Sequence, residues 1–244
     1  MFQLFDTHCH LAGTEMQAEA LTYAQRAFET NVRGLALISA DEASLSAVQS
    51  LAENLKQKFP DKKIVYTSGV HPHDASKVDE SLWKKIEASA QGGASAIGET
   101  GLDYFYEHSD RKVQQEYFLR HIDLAKKTSK PLVIHCRDAK DDVLTCLQSV
   151  KGHPNPGILH CFTEDLPMAK NLLDMGFYIS FSGILTFKNA TQIQEVAKHI
   201  PIDRVLIETD SPWLAPIPKR GKTNEPSYVG FVFEFLRQLR NMDR

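Results

Sequence analysis

Hydrophobic positions along this chain fall into two alternating patterns. Short, dense apolar runs predict strands: "LFDTHCHL", "RGLALISA", "KIVYTSGVHP", "ASAIGETGLDY", "PLVIHCR", "GILHCF", "FYISFSG" and "RVLIETDSP". Between them apolar residues recur every three or four positions, as on one helix face. Leu45, Val48, Ala52, Leu55 and Phe59 form the clearest such series, followed by Val143, Leu147 and Val150, and by Ile193, Val196 and Ile200. Strand starts recur at intervals of roughly 20–35 residues, the length of one βα unit. Eight such units in 244 residues predict a single-domain (β/α)8 TIM barrel spanning 1–244, with its active site at the C-terminal ends of the strands. A doubly wound sheet is the rival, but no GxGxxG follows the first strand.

Composition narrows the class only a little. With 42% hydrophobic and 24% charged residues and a formal charge of −3, the chain is ordinary for a globular domain. That charge does not suit a protein that coats nucleic acid through bulk positive charge, although a local phosphate site is compatible with it. The chain shows no apolar run of membrane-spanning length and no basic leader, so a cytoplasmic monomer without membrane contact is expected. None of the four cysteines forms a CxxC. Cys9, Cys136 and Cys161 each follow a histidine. Strand alternation predicts that each faces away from its neighbour, as a buried apolar residue.

The polar residues on the strands change the picture. His8 and His10, two apart, share one strand face. Glu99, His135, His160, Glu208 and Asp210 fall at the ends of the fourth, fifth, sixth and eighth predicted strands, where a barrel gathers its catalytic groups. Four imidazoles and the carboxylates Glu99 and Asp210 in one mouth form a first-row metal ligand set. Asp210 is the candidate to orient or deprotonate a water, and it joins Glu99 as a candidate catalytic residue. Asp6 and Glu208 lie deeper on the same faces. Both are candidate partners of the ligands, with a buried salt bridge as the alternative for Glu208.

Seven ordered stretches, "FDTHCHL", "GVHPHD", "AIGETGLDY", "VIHCRDA", "LHCFT", "ISFSGILTFKNA" and "IETDSPWLAPIPKRGKTNEP", resemble the TatD family of metal-dependent deoxyribonucleases among the amidohydrolase-like barrels. The resemblance implies two divalent ions per subunit. His8, His10 and Asp210 would hold one, His135 and His160 the other, and Glu99 would bridge them. It also implies phosphodiester hydrolysis of the 3′–5′ exonuclease type, with single-stranded or frayed DNA as substrate. Four imidazoles favour Zn, Mn or Fe over Mg, whereas the family is described as Mg-dependent.

At the mouth, Arg137 shares the face of His135 and can fork a phosphate, or else pair with Asp138 or Asp141. "PKRGK" brings Lys219 and Arg220 after the eighth strand as further phosphate contacts. His71 and His73 are candidate substrate contacts, although Pro72 suggests a rigid turn that leaves His73 exposed. "SFSG", residues 180–183, permits close approach of a substrate backbone. Tyr104, Phe105 and Tyr106 either stack on a base or pack as a loop. Relatives continue beyond "SYVGFVFEFLRQLRNMDR", so a shortened last helix is expected, with Phe231, Phe235, Leu236 and Leu239 as its apolar face. The same ligand set also suits an ester or amide hydrolase such as an aminoacyl-tRNA deacylase, and a non-catalytic metal-binding barrel is the third alternative.

Overall fold

The computed structural model describes residues 2–242. Its eight strands form one parallel sheet in the order β1 to β8. They are β1 (Leu4–Cys9), β2 (Val32–Leu37), β3 (Lys63–Ser68), β4 (Ala96–Asp103), β5 (Leu132–Arg137), β6 (Gly157–Leu159), β7 (Tyr178–Phe181) and β8 (Val205–Ile207). The α-helices are α1 (Ala20–Glu29), α2 (Glu42–Lys58), α3 (Glu80–Gln91), α4 (Arg111–Thr128), α5 (Lys140–Leu147), α6 (Leu166–Asp174), α7 (Thr191–His199) and α8 (Val229–Leu239). The sheet closes on itself through polar backbone. Asp210 N donates to His8 O at 2.9 Å and His10 N to Ser211 O at 2.9 Å, beside a Cys9–Ser211 bridge. The expected eight-fold barrel is the fold observed.

Local chemistry explains where the helices begin. Asp41 caps α2, accepting from Ser44 N at 2.7 Å in a reciprocal capping box, a cap worth about 1 kcal/mol. Asp79 and Asp165 cap α3 and α6 by single bonds from Leu82 N and Met168 N, at 2.8 and 2.9 Å. The three-and-four spacing seen in α2 does point inward: Leu45, Val48, Ala52 and Leu55 are buried. Between sheet and helices lie Phe118, Phe177 and Phe181, all fully buried. Burying one such ring contributes about 1.5–3 kcal/mol.

Three expectations need correction. Glu99 is the fourth of the eight residues of β4, inside the strand rather than at its end. β6 and β8 are shorter than their apolar runs suggest, so His160, Glu208 and Asp210 follow the strands rather than end them. Beyond the strands the chain stays tied to its neighbours, His160 N to Ile134 O at 3.0 Å and Glu208 N to Phe181 O at 3.1 Å. On α8 the core face is Val229, Val232 and Leu236, with Phe235 and Leu239 partly packed. Phe231 is turned off that face and pairs with Tyr228 at 5.8 Å. Beside α8, at the end of the barrel away from His10, lies a cavity of about 630 Å³ lined by Phe2, Leu4 and Phe233. The last two residues of the quoted C-terminal stretch, Asp243 and Arg244, lie outside the described residues. Among those described, no helix is long and apolar enough to cross a membrane.

Candidate metal centre

Glu99 stands at the middle of the barrel mouth with its two carboxylate oxygens facing different imidazole sets. It is almost fully buried on β4. Gly101, two residues on, lets β4 lie close against β5: its φ is +140°, and a Cβ there would meet His135 O at 2.0 Å. On one side, His8 Nε2 and His10 Nε2 are 3.1 Å apart. They face Glu99 Oε2 at 3.2 and 3.6 Å and Asp210 Oδ1 at 3.7 and 3.3 Å. Four ligands tetrahedrally around an ion at about 2.0–2.1 Å sit about 3.3–3.4 Å from one another. The five separations straddle that value.

On the other side, Glu99 Oε1 faces His160 Nε2 at 2.8 Å, His135 Nδ1 at 3.4 Å and His71 Nε2 at 3.4 Å. His160 Nδ1 donates to Glu208 Oε1 at 3.2 Å, so Nε2 of the neutral ring is a bare lone pair. It confronts a carboxylate oxygen with no hydrogen-bond alignment, and buried Glu99 Oε2 likewise has no hydrogen-bond partner. Lone pairs packed this way repel unless a proton or cation lies between them. The residues present therefore fit a divalent ion on each side of Glu99.

The electrostatics agree. Burial opposes charge on Glu99, yet His160, His71 and His8 hold its carboxyl well below the usual range. Burial also opposes charge on His160, and Glu99 with Glu208 overrides it to push that imidazole well up. Asp210 is likewise held down, against burial, by His10 and its neighbours.

A second carboxylate, at the end of β4, supports the cluster from the side. Asp103 Oδ2 accepts from His135 Nε2 at 3.0 Å and from His73 Nε2 at 2.9 Å. Donating from Nε2 leaves His135 Nδ1 bare toward Glu99, the arrangement that orients a metal-ligating histidine.

The family description "TatD related DNase" matches residues 5–244. The chain belongs to the TatD family. It is 38% identical over 240 residues to the uncharacterized metal-dependent hydrolase YcfH of Escherichia coli K12, covering 98% of this chain and 89% of that one. It is 40% identical over 242 residues to YabD of Bacillus subtilis 168, named in the same words, with 98% and 92% covered. The crystal structure of the TatD homologue YJJV from Escherichia coli K12 superposes with a TM-score of 0.90 at 25% identity, covering 98% of this chain and 91% of that one. The chain is thus a metal-dependent hydrolase of the TatD family, with the clusters around Glu99 as its candidate metal-binding residues.

The other residues singled out from the sequence divide once placed in this TatD barrel. Glu208 is fully buried, meets His160 and also accepts from Cys161 N at 2.8 Å. Asp6 supports backbone rather than imidazole: it accepts from Thr209 N at 2.8 Å and His8 N at 3.3 Å. Burial pushes its carboxyl up to about 8. Arg137 lines a cavity of about 800 Å³ at the barrel mouth beside His10, Glu99 and Asp210, pairs with neither Asp138 nor Asp141, and lies over Phe105 at 4.1 Å and Tyr106 at 4.7 Å. Those two rings are exposed, while Tyr104 is bound to Asp142 at 2.7 Å and belongs to the packed loop. Across the mouth, Trp213 is exposed and edge-on to His10 at 4.9 Å.

Lys219 and Arg220 do not line this cavity. Lys219 lies over Tyr228 and Phe231, and Arg220 over Phe187 at 4.2 Å. In "SFSG" the close approach is made by the chain itself: a Cβ on Gly183 would meet Leu214 O at 2.0 Å. Cys9 and Cys136 are buried as expected, but Cys161 is only partly buried and lines the cavity. Cys161 follows the end of β6 with φ at +42°, where strand alternation no longer applies. Asp103 was missed, although it lies four residues after Glu99 on one strand and so on the same face. His73 points inward to it, not to solvent.

Proposed function

We propose that this TatD-family hydrolase cleaves phosphodiester bonds at single-stranded or frayed DNA ends, with two divalent ions held on either side of Glu99. The observation that carries the DNA reading is the unpaired Arg137 guanidinium laid over exposed Phe105 and Tyr106 at the cavity rim. A guanidinium matches phosphate, and exposed rings stack on unpaired bases of any sequence. The cavity, about 800 Å³, has the size of a site for one small ligand and suits a strand end better than a paired helix.

Each chain residue then has a task. His8, His10 and Asp210 would hold one ion, His135 and His160 the other, with Glu99 shared between them. The ions would supply Lewis acidity for the phosphoryl group and lower the pKa of an attacking water. Asp210 is kept ionised, and with Oδ1 turned to the two imidazoles its Oδ2 is left to take the water's proton. Glu208 and Asp103 hold His160 and His135 in the tautomers that direct a lone pair inward.

The test is direct. Protein loaded with Mg, Mn or Zn is incubated with 3′-labelled single-stranded DNA and, separately, with an aminoacyl-tRNA, beside an Asp210→Asn control. Release of nucleotides by wild type alone is expected. Intact DNA under all three metals, with loss of the aminoacyl ester, would replace the nuclease reading with the deacylase one.

A further inference from the structure

His71 meets the same carboxylate as the metal-binding imidazoles, yet its chemistry is the reverse of theirs. By distance alone His71, Glu99 and His135 make a third group able to hold an ion. The hydrogen bonds contradict that. His71 Nδ1 accepts from His73 N at 3.1 Å, which requires a lone pair on Nδ1. A neutral imidazole carries one N–H, so the hydrogen of His71 resides on Nε2. His135 and His160 are held the other way: each gives its outer N–H to a carboxylate, Asp103 or Glu208, and turns a bare nitrogen toward Glu99.

For His71 to ligate through Nε2, its hydrogen would have to move to Nδ1. There it would face the His73 N–H, two donors pointed at each other in a half-buried site. The backbone cannot easily turn aside. His71 caps the 3-10 turn Pro72–Lys77, whose first residue has a fixed φ. His71 N is bound to Ala40 O at 2.8 Å, and Ser109 Oγ donates to His73 O at 2.8 Å. The His73 ring is tied to Asp103 at 2.9 Å. On the preceding residue, Val70 N donates to His121 Nε2 at 3.3 Å.

We infer that His71 is no metal ligand but an uncharged hydrogen-bond donor, its Nε2–H offered to the oxygen on which negative charge grows in the substrate. Its role toward substrate rests on the function proposed above; its tautomer does not. A neutral donor held in place strengthens its bond as that charge develops and needs no reorganisation. Before substrate arrives, the same N–H faces Glu99 Oε1 at 3.4 Å.

Three measurements test this. In long-range 1H–15N spectra of zinc-loaded wild-type protein, with His71 assigned by its loss in His71→Phe, Nε2 should read as N–H bearing and Nδ1 as bare. A metal-bound Nε2 would overturn the proposal. Zinc content per chain should be unchanged in His71→Phe and His71→Gln but fall in His135→Ala; loss of an ion from either His71 variant would also overturn it. On 3′-labelled single-stranded DNA, His71→Phe should lose about 100- to 1,000-fold in kcat with KM nearly unchanged, and His71→Gln, which keeps an N–H, should recover part of it. An unchanged kcat in His71→Phe contradicts the donor role. If DNA is not cleaved at all, the proposed function fails, while the spectra and metal content still decide whether His71 is a ligand.

Discussion

Glu208→Gln isolates what one buried charge does for the metal centre. The carboxylate is fully buried, and its Oε1 accepts from His160 Nδ1 at 3.2 Å and from Cys161 N at 2.8 Å. Glutamine keeps the shape and an acceptor oxygen for both donors, so what it removes is the negative charge behind His160. That charge raises the basicity of the ring's other nitrogen, the one facing Glu99 Oε1. Loss of such an outer partner lowers metal affinity about 10- to 100-fold, or about 1.4–2.7 kcal/mol. The deficit should fall chiefly on the ion beside His160, because Glu208 is hydrogen-bonded to that imidazole and reaches His8 only through its charge. Titration calorimetry with Mn, resolving two binding events, reads this directly, and circular dichroism establishes that the variant is folded. A folded Glu208→Gln protein that binds both ions with wild-type affinity would refute the reasoning.

Other consequences follow from residues around the centre. Buried His121 has its pKa lowered to about 4 from an ordinary 6.5, because burial disfavours its charged form. The unfolded chain therefore takes up the proton first as pH falls. Stability present above pH 6.5 is lost down to about pH 4, by about 3 kcal/mol at about 1.4 kcal/mol per pH unit. Urea unfolding of wild type and His121→Gln should show a shallower acid loss in the variant; parallel loss would contradict this. Gly183→Ala forces a Cβ against Leu214 O and should cost about 2–3 kcal/mol in chemical denaturation while displacing the loop that carries Trp213. Arg137→Ala should raise KM for single-stranded DNA about tenfold and flatten its salt dependence, whereas Lys219→Ala, outside the cavity, should leave KM unchanged.

The barrel was legible in the sequence because its determinants are local. Strand runs and the helical spacing of Leu45, Val48, Ala52 and Leu55 report burial wherever they occur. His8 and His10 share a face by counting alone. Glu99 and Asp210 were legible as carboxylates in or just after apolar strand runs, although Glu99 lies inside β4 and Asp210 three residues past β8. Asp103 was legible by the same counting and still went unread, since a lone carboxylate reveals its role only beside His73 and His135. What the sequence hid depends on distant contacts or on single torsions. The left-handed turn at Cys161 brings a thiol into the mouth. Lys219 follows Asp210 closely in sequence, but its loop turns outward and its ammonium settles over Tyr228 and Phe231. The tautomer of His71 is set by one backbone N–H two residues away.

The central claim is that Glu99 separates two cation sites, one on each carboxylate oxygen. Anomalous diffraction from crystals soaked in Mn or Zn tests it most directly. Two peaks per chain are expected, one among His8, His10 and Asp210 beside Glu99 Oε2, the other between His135 and His160 beside Oε1. A single peak, or a peak ligated by His71 Nε2, would contradict it.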